Sequence, residues 1–99
     1  MFPALAQASI NRVSALPSVN PDVVHQRVGD EVVLVHLKTN QIFALNETGA
    51  RFWELLSAGG TRPEIEMAMI AEFEVEPHTL AAEIDGLLAA LAREGIVSG

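Results

Sequence analysis

Apolar and polar positions change their period once along this chain, near residue 46. Before it, residues 23–45 read VVHQRVGDEVVLVHLKTNQIFAL, apolar side chains recurring at every second position or in short runs. That period belongs to strands. The first strand spans Val23 to Val28, and Gly29-Asp30 supplies the tight turn. The middle strand covers residues 31–37 and is apolar on both faces, as suits a strand covered on both sides. Residues 38–40 form a second turn. Gln41 to Leu45 make a third strand, with Ile42 and Ala44 on one face and Phe43 and Leu45 on the other. Two short connections in succession imply an antiparallel meander with the middle strand central.

After residue 46 the period becomes that of a helix. Asn46 or Thr48 can cap the first helix. Ala50, Trp53 and Leu56 share one face, with Phe52 and Leu55 beside it. SAGGT ends this helix, and Gly59-Gly60 lacks the lysine and spacing of a phosphate loop. Thr61 and Glu64 have the spacing of a capping box for a second helix that buries Ile65, Met69 and Phe73. Pro77 suits the first position of a third helix ending near Glu94. Leu80, Ile84, Leu87, Leu88 and Leu91 form its apolar face. Gly95 is placed for a left-handed cap, with Ile96 folding back on the last turn. The fold class is therefore α+β: a three-stranded antiparallel meander followed by three α-helices. Three helices cover the two faces of so small a sheet unequally, so an apolar strip is expected beside an edge strand.

Residues 1–21, with three prolines and no sustained period, read as a mobile or loosely docked segment ahead of a domain over residues 22–99. Leu5, Ile10, Val13 and Leu16 give it a weak apolar pattern, suited to packing on something such as a second copy of the chain.

Composition narrows the chemistry. With no cysteine, disulfides, thiolate zinc sites and cysteine nucleophiles are excluded. A net charge of −7 disfavours a nucleic-acid backbone as partner. No apolar stretch approaches the roughly 20 residues that cross a bilayer. No signal peptide is read at the N-terminus, and a cytoplasmic location is expected. His25, His36 and His78 lack metal-ligand spacing. The serines have no nucleophile-elbow context. The helix carboxylates read as a solvated acidic face. Phe52 and Trp53 read as core, with Trp53 also able to wall a groove beside the third strand. Gly86, inside the last helix, costs roughly 1 kcal/mol relative to alanine. It is either a tolerated surface glycine or a place where another backbone comes close.

Three segments in order carry a resemblance: VGDEVVLVHLKTNQIFALNETGARFWELL, GGTRPEIEMAMIAEFEVEP and EIDGLLAALAREGIV. From about residue 21 to residue 97 the chain resembles the PqqD-like family, also called the RiPP recognition element. The resemblance implies a winged-helix-like fold and a non-catalytic role with no cofactor. Such domains bind the leader segment of a ribosomally made precursor peptide and present it to modifying enzymes. The leader adds a strand to the sheet edge and lies against the last helix. Carried onto this sequence, the edge is Gln41, Ile42, Phe43, Ala44 and Leu45, and the wall is Ile84, Leu87, Leu88 and Leu91, with Trp53 beside them. KTNQ and SAGG stand where the pyrroloquinoline quinone subgroup tends to have Pro-Glu and Cys-Asp-Gly. The chain is thus more similar to stand-alone binders of lasso-peptide clusters, whose partner is a separate leader peptidase. A quinone-pathway peptide chaperone, a winged-helix nucleic-acid binder and a homodimer paired through the third strand or the N-terminal segment remain as alternatives.

Overall fold

The computed structural model describes residues 16–98. Its elements are β1 (Ser18–Val19), β2 (Val23–Val28), β3 (Glu31–His36), β4 (Gln41–Leu45), α1 (Glu47–Ser57), α2 (Arg62–Phe73), α3 (Pro77–Arg93) and β5 (Val97–Ser98). Of the N-terminal apolar pattern, Leu5, Ile10 and Val13 lie outside the described residues.

β2, β3 and β4 form the antiparallel meander, with β3 central. Val23 pairs with His36, His25 with Leu34, Leu34 with Phe43 and Val32 with Leu45. This register puts Val23, Val32, Leu34, His36, Phe43 and Leu45 on one face, as the two-residue period requires. Val32 and Leu34 are fully buried there.

The middle strand is not covered on both sides by the helices. Val33 and Val35 are only half-buried, and on the same outer face Val24 is 46% and Ile42 69% exposed. The cause lies in the chain path. One residue, Asn46, separates β4 from α1, so α1 turns back at once onto the inner face, touching β3 and β4. α2 then packs on α1, and α3 on α2. Each helix extends the layer already begun.

Side-chain caps fix where the helices start. Asn46 Oδ1 accepts from Gly49 N–H at 2.9 Å, so Asn46 rather than Thr48 caps α1. Thr61 Oγ1 accepts from Glu64 N–H while Thr61 N–H donates to Glu64 Oε1, completing the capping box of α2. Glu76 caps α3 ahead of Pro77. At the end of α3, Gly95 has φ +76°, Gly95 N–H donates to Ala92 O at 3.1 Å and Ile96 N–H to Leu91 O at 2.9 Å. This paired closure lets the chain leave the helix and bury Ile96 and Val97.

The short strands β1 and β5 escaped the sequence reading. Ser18 pairs with Ser98 and Val19 with Val97. Asn20 locks the junction: its N–H donates to Ile96 O at 2.9 Å, its Nδ2 to Gly95 O at 3.0 Å, and its Oδ1 accepts from Asp22 N–H at 2.8 Å. Leu16 and Val19 pack against the core. Residues 16–21 are therefore fastened to the body of the fold, ahead of the boundary expected at residue 21.

Candidate functional site: a cleft beside the open edge of β4

β4 ends the sheet, and among the described residues no strand pairs with its outer edge. Beside that edge lies a cleft of about 460 Å³. Ala44 and Leu45 of β4 form one lip. Asn46, Thr48, Gly49 and Phe52, at the start of α1, form the corner, and Met69 of α2 joins the lining. Leu80, Glu83, Ile84 and Leu87 of α3 form the facing wall.

Local chemistry shapes each part. Gly49 sits close against the strand end: a Cβ there would be in van der Waals contact, 3.4 Å from both Leu45 Cβ and Asn46 Oδ1. Gly49 and Phe52 are three residues apart in α1 and so share a helix face. On α3, Leu80, Glu83, Ile84 and Leu87 fall on one stripe by the same rule. Arg62 holds that wall in place, with Nη1 2.9 Å from Asp85 Oδ1 and Nη2 donating to Ala81 O at 3.2 Å.

The residues singled out from the sequence separate into groups. Ala44, Leu45, Ile84 and Leu87 meet in the cleft. Gln41 and Ile42 lie farther along the open edge, exposed, and Phe43 is half-buried on the inner face. Leu88 is half-buried against the core, and Leu91 is buried in it.

Trp53 is not in this cleft. It is 1% exposed and helps wall a second cavity of about 630 Å³, with His25, Leu56 and the segment from Leu16 to Pro21. Its ring meets His25 edge-on at 6.1 Å, and its indole N–H has no acceptor among the described residues. Neighbours in a helix point about 100° apart, so Phe52 takes the cleft and Trp53 the other side. That rule, applied to Gly49, Phe52 and Trp53, is the sequence signal that separates them. Phe52, Gly49 and Glu83 are the informative lining residues that sequence reasoning missed.

Gly86 is not among the residues that line the cleft, and a Cβ there would meet nothing within 4 Å.

Charge is distributed unevenly. Arg27 pairs with Glu54, Lys38 with Asp22, Arg51 with Glu72 and Glu54, and Arg62 with Glu66 and Asp85. Hydrogen bonds from Arg51 hold the Glu72 carboxyl below its ordinary value. The Thr61 backbone N–H and hydroxyl do the same for Glu64. Glu83, the one ionisable residue lining the cleft, has no ion pair or side-chain hydrogen bond among the described residues. Among the described residues no three His, Asp or Glu are grouped to hold a metal, and no described helix is long and apolar enough to cross a membrane.

These features define a small α+β domain whose sheet edge opens onto a helix-walled cleft of mixed apolar and polar lining. Residues 31–97 match the family described as Coenzyme PQQ synthesis protein D (PqqD), and the chain belongs to that family. A solved structure of TbiB1 in complex with the TbiA(beta) leader peptide is similar to the chain at 36% identity. The match covers 83% of this chain and 95% of that one, with a TM-score of 0.79. Comparison with curated proteins gives no match.

Proposed function

We propose that this chain is a RiPP recognition element, a non-catalytic module that binds the leader segment of a precursor peptide and presents it to a modifying enzyme or leader peptidase. The observation that carries this reading is the open edge of β4 running beside a cleft walled by α3. The likeness to TbiB1 with a leader peptide bound supports it.

In this mode the leader adds a strand to Gln41–Leu45. Backbone hydrogen bonds set register, and alternate leader side chains enter the cleft. Each apolar side chain buried against Leu45, Phe52, Ile84 or Leu87 contributes roughly 1.5–3 kcal/mol. Ordering a flexible leader offsets part of that gain. Two or three such anchors supply roughly 3–9 kcal/mol, so a micromolar or tighter complex, which needs about 8 kcal/mol or more, also draws on the backbone hydrogen bonds of the added strand.

The family description favours a second reading, a peptide chaperone of pyrroloquinoline quinone synthesis. The two share a binding mode and differ in the precursor served.

The test is backbone amide exchange with the TbiA(beta) leader as first probe. Binding by strand addition slows exchange at outward amides of Gln41–Leu45, and Leu87→Glu abolishes the effect while the helical circular dichroism persists. A leader that binds without protecting β4 overturns strand addition.

A further inference from the structure

We infer that Glu83 selects a cationic side chain, lysine or arginine, in the peptide that occupies the cleft; this inference rests on the peptide-binding reading above. Apart from Glu83, the wall offered by α3 is aliphatic: Leu80, Ile84 and Leu87. Glu83 is therefore the single carboxylate on an otherwise aliphatic helix wall, with Asn46 and Thr48 among the other lining residues.

No cation of the described chain neutralises it. Arg27, Lys38, Arg51 and Arg62 are each engaged with other carboxylates. Arg93 is ten residues further along α3, about 15 Å away by helix rise. With a net charge of −7 around it, the carboxylate favours a counter-ion brought by the ligand.

Strand geometry places that cation. Side chains at alternate positions of an added strand face the same way, about 6.8 Å apart. Glu83 and Leu87 are four residues apart, about 6 Å along the helix axis. A peptide running along this wall thus presents its cation two residues from an apolar anchor. Glu83 is exposed, so the pair acts at the rim. It favours a cation over a neutral residue by up to about fivefold, and the preference fades with salt.

The experiment pans a random dodecapeptide display library against the full chain, against Glu83→Gln and Glu83→Lys, and against Glu31→Gln as a charge-matched control away from the cleft. Leu87→Glu identifies which peptides use the cleft. The expected result is enrichment of lysine or arginine at a fixed even offset from an apolar residue. That enrichment persists in Glu31→Gln, disappears in Glu83→Gln and turns to acidic residues in Glu83→Lys. Cleft-dependent peptides with no cation bias, or with a bias that survives Glu83→Gln, overturn the inference and leave peptide binding standing. If the wild type retains no peptide, or retention survives Leu87→Glu, the peptide-binding reading fails and this inference with it.

Discussion

Arg62, at the start of α2, reaches Asp85 in the middle of α3, with 2.9 Å between Nη1 and Oδ1. The same guanidinium bonds Glu66 on its own helix and the Ala81 carbonyl. One side chain thus sets how far the cleft's wall stands from the helix beneath it. Asp85 is 69% exposed against 23% for Arg62, so solvent screens the ion pair itself. Arg62→Met is expected to lower stability by about 1 kcal/mol in urea unfolding, through the lost bonds to Ala81 and Glu66 as well as Asp85. It should also weaken peptide binding. Asp85→Asn should do less on both counts, because the other bonds survive.

Gly86 occupies an exposed turn of the same helix, with open space where a Cβ would go. Gly86→Ala should raise stability by roughly 0.5–1 kcal/mol by restricting the unfolded chain and favouring helix. Thermal unfolding reads the gain. Since Gly86 does not line the cleft, peptide affinity should stay unchanged.

The meander and the three helices were legible because each rests on local signals: the two-residue period, Gly29, the Thr61–Glu64 box, Pro77 and Gly95. The open edge at Gln41–Leu45 followed from connection length alone. Sidedness was harder. An apolar run such as Val32 to Val35 looks alike whether one or both faces are covered, and only the tight link at Asn46 decides. Leu91 and Leu87 carry the same chemistry, yet one is core and the other cleft, because the apolar face of α3 winds past the end of the cavity. β1 and β5 are two residues each, too short for any period, and their pairing joins Ser18 to Ser98, 80 positions along the chain.

Two bonded carboxylates, one in the capping box and one paired with Arg51, make stability depend on acid. Glu64 and Glu72 have folded-state values below the ordinary 4.5, Glu64 through Thr61 and Glu72 through Arg51. A lowered carboxyl value stabilises the fold above 4.5, and that stabilisation is lost as pH falls through the folded value. Glu64→Gln and Glu72→Gln should each flatten the fall in urea-unfolding midpoint between neutral pH and about pH 3. A slope equal to wild type in both would place the acid dependence elsewhere.

Trp53 is the chain's only tryptophan and is buried beside His25, away from the cleft. Its emission should be blue-shifted and shielded from acrylamide, and should report global unfolding. Peptide entering the cleft should change it little. Replacing His25 by alanine should change it more, since that ring is its edge-on neighbour. Steady-state spectra of the two states compare these effects directly.

The pairing of Ser18 with Ser98 has a consequence for architecture. Antiparallel partners stand about 5 Å apart, so the entry and exit of this unit lie side by side. A larger enzyme could carry it as a cassette spliced into one surface loop, with neither junction pulling on the sheet or the last helix. Both junctions then lie away from the residues that line the cleft, so a splice made there leaves the open edge of β4 untouched.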